Sequence, residues 1–135
     1  MKRIFVLVII CCFIATKGFC QEEPKPSAPE LTFTEMVHDF GTIPLNGLAE
    51  YEFKFTNTGT EPLIIQNCRA SCSCTVPACP REPVKPGESG IIRVKYTTTH
   101  VPGAFSNSFI ITSNARNQSV RLNIKGEVAQ NPESA

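Results

Sequence analysis

Apolar side chains recur at every second position in several segments of the chain. The clearest of these segments are residues 51–56, 92–97 and 120–125. In the first of them, Tyr51, Phe53 and Phe55 alternate with polar or charged residues. Because successive side chains of a strand point to opposite faces of a sheet, this alternation predicts half-buried β-strands. Weaker versions of the pattern predict further strands over residues 31–35, 63–68 and 105–112.

Residues with turn chemistry separate these segments at regular intervals. They lie at positions 44–47, 57–59, 86–87, 102–103 and 114–117. Gly and Asn allow positive φ, and Pro holds φ at the value of a turn's second residue. No sustained apolar period of 3.6 residues follows position 20. The pattern therefore predicts an all-β domain, an antiparallel sandwich of about seven strands with Greek-key connections.

The first twenty residues have the order of a secretory signal peptide. Lys2 and Arg3 precede the apolar run 4–15, and the small residues Gly18 and Cys20 lie three and one positions before Gln21. The apolar run is shorter than the roughly 20 residues of a membrane-spanning helix. We therefore predict a signal peptide over residues 1–20 and no transmembrane anchor after its removal.

Cys20 supports a second interpretation of the same region. It follows the apolar run directly, so it could be the lipidated first residue of a processed lipoprotein. Phe19 argues against this, because lipoprotein processing generally requires a small residue just before the cysteine. A lipid anchor at Cys20 remains the alternative to simple cleavage.

Composition divides the remaining chain into one domain and two flanking segments. Residues 21–29 carry three prolines, two glutamates and a lysine, so we predict a disordered linker over residues 21–30. Residues 31–129 have the size of a single domain, and residues 130–135 are predicted to be a disordered tail. Without the first twenty residues, ten basic residues face twelve acidic ones, so no nucleic-acid partner is predicted.

Four cysteines lie within twelve residues, at Cys68, Cys72, Cys74 and Cys79. In an oxidising compartment such a cluster usually forms disulfides, and four cysteines allow three connectivities. In an extended strand, the Cα atoms of residues two apart are about 6.6 to 7 Å from each other, at the upper limit for a disulfide. A bond between Cys72 and Cys74 would therefore require a bend, and we expect it to be strained and easily reduced.

A thiolate metal site is one alternative to this disulfide interpretation. On a strand, Cys72 and Cys74 project to the same side, and soft sulfur ligands select Cu(I) or Zn(II), with His38 or His100 as further ligands. A redox function of the Cys72 and Cys74 pair is another alternative. The compartment favours disulfides, so no cofactor is predicted.

His38 lies between the first predicted strand and Phe40. A histidine in such a place usually hydrogen-bonds a neighbouring loop, and Asp39 is predicted to support the turn before Gly41. No nucleophile with a companion base is recognisable, so we predict no enzymatic activity.

Several motifs resemble those of a known family. They are His38-Asp39-Phe40-Gly41-Thr42-Ile43, Phe55-Thr56-Asn57-Thr58-Gly59, Pro62-Leu63-Ile64-Ile65, Ser71-Cys72-Ser73-Cys74-Thr75, Pro86-Gly87-Glu88 and Ile124-Lys125-Gly126. In this order they resemble the bacterial exported family called domain of unknown function 1573. The resemblance implies an immunoglobulin-like sandwich of the ASH, major sperm protein and PapD type, found mostly in bacterial envelopes and without an established activity.

The chain departs from the family pattern within the cysteine cluster. Ser73 stands where the family usually has Gly, Cys79 stands where an aromatic residue is common, and Cys68 is additional to the usual pair. Two additional cysteines imply that Cys68 bonds Cys79 and leave Cys72 and Cys74 as the family's own pair. A Cys68–Cys79 bond would stabilise the domain by about 3 kcal/mol in the chain-entropy model.

The sequence thus predicts an exported, non-enzymatic immunoglobulin-like module of the bacterial envelope, in the periplasm or at the cell surface. We expect it to bind an envelope or surface protein through loops or an open strand edge. The alternative function is thiol-based binding of copper or zinc, or redox chemistry, at the loop from Cys68 to Cys79.

Overall fold

The computed structural model describes residues 27–130. The predicted signal peptide, lipidation at Cys20, residues 21–26 of the linker and residues 131–135 of the tail lie outside the described residues. The described chain forms eight strands: β1 (Leu31–Phe33), β2 (Val37–Ile43), β3 (Glu50–Asn57), β4 (Ile65–Ala70), β5 (Thr75–Ala78), β6 (Ser89–Tyr96), β7 (Gly103–Ser113) and β8 (Ser119–Val128).

The eight strands form two four-stranded sheets that face each other. One sheet has the order β1-β3-β6-β5, and the other has the order β2-β8-β7-β4. The predicted all-β sandwich is confirmed, with one strand more than the seven expected.

Two of the eight strands, β2 and β5, were not predicted from the sequence. β2 contains Gly41 at φ 64°, and its register against β8 shifts between Asp39 and Thr42. This irregularity breaks the two-residue rhythm on which the prediction depends. β5 has only four residues, one of which is Pro77. Such a short strand with a proline carries no recognisable alternation.

One strand pair departs from the predicted antiparallel arrangement. β2 runs parallel to β8, whereas the other five pairs of neighbouring strands are antiparallel. The chain passes from one sheet to the other between β1 and β2, so no hairpin joins β2 to its neighbour. Only hairpin-linked strands are forced to be antiparallel, and β2 is free of that constraint.

The core lies between the two sheets and consists of aliphatic and Phe side chains. Phe53 of β3 is fully buried, and its ring meets that of Phe109 of β7 at 5.6 Å between centroids and 66° between planes. Such an edge-to-face contact is favourable and links the two layers at their centre. Fully buried aliphatic residues on both sheets complete this core, among them Ile92, Val94, Ile111, Leu122 and Ile124.

A buried asparagine organises the end of β3. The Asn57 side-chain amide donates to the carbonyls of Glu61 at 2.7 Å and Val84 at 2.9 Å. Its side-chain oxygen accepts from the N–H groups of Gly59 at 3.0 Å and Glu30 at 3.3 Å. Asn57 thus supplies hydrogen bonds to four backbone groups in the segments around the end of β3.

Residues 27–30 of the predicted linker are hydrogen-bonded to the domain. The carbonyl of Ala28 accepts from the Thr60 N–H at 3.0 Å, and the carbonyl of Pro29 accepts from the Arg116 N–H at 2.9 Å. These contacts use backbone atoms, which composition does not reveal. Ordered structure therefore extends before the boundary predicted at residue 31.

Candidate functional site

Residues 71–74, which we name the cysteine turn, connect β4 to β5. β4 is an edge strand of one sheet, and β5 is an edge strand of the other, so the chain crosses between the layers here. The Ser71 N–H donates to the Ser108 carbonyl at 2.9 Å, and the Thr97 N–H donates to the Cys74 carbonyl at 2.8 Å. The turn is thus hydrogen-bonded to both layers of the sandwich.

The four cysteines form two nested disulfides around this turn. Cys68 bonds Cys79, with the Cα atoms 6.4 Å apart, and Cys72 bonds Cys74, with the Cα atoms 5.3 Å apart. We name these the outer and the inner disulfide. The outer disulfide joins β4 to the residue after β5, and this pairing is the one that the family resemblance implies.

The inner disulfide lies in a bend of the chain. Its Cα separation of 5.3 Å is shorter than the roughly 6.6 Å of an extended strand. The Thr75 N–H approaches the Cys72 carbonyl at 3.4 Å and closes the bend. The expectation that Cys72 and Cys74 project from one side of a strand is therefore wrong, because both residues belong to a turn. That the bond is strained remains a prediction.

The two sulfur atoms of the inner disulfide have different surroundings. Cys72 and Cys74 are both half-buried, but Cys74 packs against the hydrophobic core, as do both cysteines of the outer disulfide, and Cys72 does not. The Asn107 side-chain amide donates to Cys74 Sγ at 3.4 Å. The Thr75 hydroxyl lies 3.9 Å from Cys72 Sγ.

Asn107 is a site residue that the sequence analysis missed. It lies on β7, two residues from Phe105 and two from Phe109, in phase with the residues that face the other sheet. The one signal of Asn107 in the sequence was a polar residue at an inward-facing position of a strand. A buried amide at such a position needs a hydrogen-bonding partner. The partner itself is 33 residues away in sequence.

His38 lies on β2, at the edge of the sheet opposite to β4. Three strand spacings separate these edges, about 14 Å. The His38 ring stacks on Tyr51 at 3.5 Å between centroids, and its Nδ1 lies 3.3 Å from Glu35 Oε1. The histidine is thus part of a strand rather than of a connection, but it does contact the neighbouring loop through Glu35, as predicted.

The metal alternative is not supported. Cys72 and Cys74 are bonded to each other, and His38 lies at the other edge of the sheet. His100 is exposed in the connection between β6 and β7. Within residues 27–130, no group of three or more His, Cys, Asp or Glu side chains has the arrangement of a metal site.

Glu35 links His38 to Tyr51 at the β2 edge. The Tyr51 hydroxyl donates to Glu35 Oε2 at 3.2 Å. Burial raises the pKa of Tyr51, and the hydrogen bond to Glu35 and its negative charge raise it further. Next to this cluster, the Gly41 N–H donates to Asp39 Oδ1 at 2.8 Å, which is the turn contact predicted for Asp39. These contacts position β2 against the other sheet.

The two disulfides are expected to differ in their contribution to stability. Replacing Cys68 and Cys79 with Ser should lower the free energy of unfolding by about 3 kcal/mol, and replacing Cys72 and Cys74 should lower it by about 1.5 kcal/mol. The reason is that the outer bond closes the longer loop and so restricts the unfolded chain more. Urea unfolding of both double variants measures the difference. Equal losses would contradict this account.

Residues 27–130 include no helix with the length and hydrophobicity of a membrane span. Their fold and site define an immunoglobulin-like β-sandwich in which a disulfide-braced turn joins the edges of both sheets. Residues 31–128 match the family model described as Protein of unknown function (DUF1573), and the chain belongs to this family. The predicted family membership is thereby confirmed. No protein of curated function matches the sequence.

Solved structures with the same fold come from bacteria and from humans. A protein of unknown function from Porphyromonas gingivalis W83 is 16% identical with a TM-score of 0.66, and the match covers 75% of this chain and 47% of that one. The ASH/PapD-like domain 7 of human CEP192 is 8% identical with a TM-score of 0.61, covering 86% and 96%. The E. coli chaperone DraB is 14% identical with a TM-score of 0.53, covering 78% and 57%.

These identities show similarity of fold alone. The chain spans about half the length of the Porphyromonas protein it matches. Immunoglobulin-like sandwiches of this kind serve many functions, so the fold does not identify the function, which depends on the residues at the surface of this chain.

Proposed function

We propose that the protein is an exported, non-enzymatic module of the bacterial envelope that binds a partner protein along the open edge of β2. The observation that carries the proposal is the pairing of this strand. β2 has seven residues and is hydrogen-bonded to a neighbouring strand on one side only, to β8. An unpaired edge offers backbone donors and acceptors to an added strand.

The other three edges of the sandwich are less suitable for strand addition. β1 has only three residues. β5 has four residues, and its Pro77 lacks an N–H donor. β4 is bridged to the end of β5 by the outer disulfide, and the cysteine turn crosses beside it. Among the described strands, β2 therefore has the longest free edge that no disulfide bridges.

The first residues of β2 combine a free backbone donor with apolar side chains. The Asn123 N–H of β8 donates to the Met36 carbonyl at 2.9 Å. The C=O and N–H of one trans peptide unit point in opposite directions, so the Val37 N–H points away from β8. The side chains of Met36 and Val37 are 48% and 47% exposed. An extended partner segment would gain both a main-chain hydrogen bond and apolar contacts here.

The regular part of this edge is short, which limits the partner segment. The register of β2 shifts after Asp39, and the Gly41 N–H is already bonded to the Asp39 side chain. The edge thus fits a short extended segment of a partner rather than a long strand.

Two further observations support an exported protein without enzymatic activity. The two disulfides are typical of an oxidising compartment outside the cytosol. Within residues 27–130, no hydrogen bond joins His38 or His100 to a Ser, Thr or Cys side chain, which is the usual geometry of an activated nucleophile.

The proposal is tested by blocking the free edge of β2. Val37→Pro removes the outward N–H without removing a bond to β8, and Val37→Thr is the matched control because it keeps the N–H and the branched shape. A photo-crosslinking residue introduced at Met36 should give a protein adduct in the native envelope. We expect Val37→Pro to abolish this adduct and Val37→Thr to retain it.

A crosslinker at Ile91 is the positional control, since this residue is 49% exposed on the outer face of the other sheet. Circular dichroism establishes that each variant is folded. The proposal is wrong if Met36 gives no adduct, if Ile91 gives the same adduct, or if folded Val37→Pro retains it.

A further inference from the structure

Both cysteines of the inner disulfide are half-buried, but only Cys74 packs against the hydrophobic core and accepts a hydrogen bond from the Asn107 amide. We propose that Cys72–Cys74 is an exchangeable disulfide that oxidises a dithiol on another protein, with Cys72 as the sulfur that is attacked. This activity goes beyond the proposed partner binding at β2, because it uses the opposite edge of the same sheet.

Access decides which sulfur is attacked. A thiolate displaces one sulfur of a disulfide by approaching along the S–S axis. Both cysteines are half-buried, but Cys74 is covered by the hydrophobic core and by Asn107, whereas Cys72 lies between the exposed residues Ser71 and Ser73 and has no core contact. An incoming thiolate therefore reaches Cys72 Sγ, and Cys74 becomes the leaving group.

Asn107 favours this direction of cleavage. Its amide N–H points at Cys74 Sγ at 3.4 Å, so the donor is already in place where negative charge develops. A hydrogen bond to a thiolate stabilises the charged form, and a leaving group with a lower pKa departs faster. Asn107 is held in position by β7, where it is paired with Ile124 of β8.

The surrounding fold can tolerate cleavage of the inner disulfide. The cysteine turn is anchored at Ser71 and at Cys74 by backbone hydrogen bonds to both layers. The outer disulfide encloses the turn, and both of its cysteines pack against the core. After reduction, Cys72 and Cys74 therefore remain close enough to form the bond again.

The reaction balances without any further oxidant. One thiolate of the partner dithiol attacks Cys72 Sγ, the Cys72–Cys74 bond breaks, and its electron pair leaves on Cys74. The second partner thiolate then attacks the partner sulfur of this mixed disulfide and releases Cys72. The partner dithiol is oxidised to a disulfide, and its two protons are balanced by those taken up by Cys72 and Cys74.

The first test compares the two disulfides of the full chain. The oxidised protein is treated with dithiothreitol for increasing times, free thiols are alkylated, and each cysteine is quantified by mass spectrometry. We expect Cys72 and Cys74 to become reduced at least tenfold faster than Cys68 and Cys79, while the fold persists by circular dichroism. Equal rates, or faster reduction of the outer disulfide, would overturn the proposal.

The second test distinguishes the two sulfurs. The oxidised protein is treated with reduced glutathione and quenched with acid, and the mixed disulfide is located by mass spectrometry. We expect glutathione on Cys72 at least tenfold more often than on Cys74. Equal amounts on both cysteines, or more on Cys74, would show that Cys72 is not the attacked sulfur.

The third test removes the hydrogen bond to Cys74. Asn107→Leu and Asn107→Asp each lack the amide donor at nearly unchanged size, and we expect either to slow reduction of the inner disulfide about tenfold. The pKa of the Cys74 thiol in Cys72→Ser should also rise when Asn107 is replaced. Ser106→Leu, on the exposed face of the same strand, is the control and should change neither value. If the folded Asn107 variants leave both values unchanged, the assigned role of Asn107 is wrong.

Discussion

Replacing Phe53 with Ala is expected to lower the free energy of unfolding by about 3 to 5 kcal/mol. The Phe53 side chain is fully buried between the sheets, where its ring contacts Phe109 and, at 4.9 Å between centroids, Tyr51. Truncation removes this contact area and leaves a cavity that close-packed neighbours fill only in part. Urea unfolding followed by circular dichroism measures the change.

The loss is large compared with the total stability of such a domain, which is about 5 to 15 kcal/mol. Leu48→Ala is the control, since the Leu48 side chain is 74% exposed and should change the unfolding free energy by less than about 0.5 kcal/mol. A similar loss for both variants would mean that Phe53 does not hold the two sheets together.

Replacing Asn57 with Leu is expected to cost about 3 kcal/mol or more, although the side chains are nearly equal in size. The substitution leaves the Glu61 carbonyl and the N–H groups of Gly59 and Glu30 without their amide partner, while the Val84 carbonyl keeps its bond from the Leu63 N–H. Each buried polar group that loses its partner costs about 1 to 3 kcal/mol, and the backbone can relax to satisfy some of them. Thermal and urea unfolding measure the total.

Asn67→Leu provides the matched control for this prediction. Asn67 lies exposed on β4, so the same chemical change should alter stability by less than about 0.5 kcal/mol. If Asn57→Leu were as stable as Asn67→Leu, the buried amide would not be needed to organise the end of β3.

The two proposed activities can be separated because they use different edges. β2 and β4 are the outermost strands of one sheet, with β8 and β7 between them. Val37→Pro should therefore leave the reduction rate of the inner disulfide unchanged, and Asn107→Leu should leave crosslinking at Met36 unchanged. Failure of one proposal does not entail failure of the other.

The candidate sites were only partly visible in the sequence. The cysteine cluster was evident from its spacing, and the family departures at Cys68 and Cys79 implied the pairing that the structure contains. The unequal surroundings of Cys72 and Cys74 were not evident. They depend on Asn107, which reaches the turn from a strand that is distant in sequence.

The sequence by itself determined the strands β3, β6 and β8, and the aliphatic and Phe core that they enclose. Side-chain alternation is a local property, and it is readable wherever one face of a strand is buried and the other is exposed. The tertiary structure alone decided the parallel pairing of β2 with β8, the hydrogen bonds around Asn57 and the contact of Asn107 with Cys74. These contacts join residues far apart along the chain, and their partners are set by how the two sheets stack.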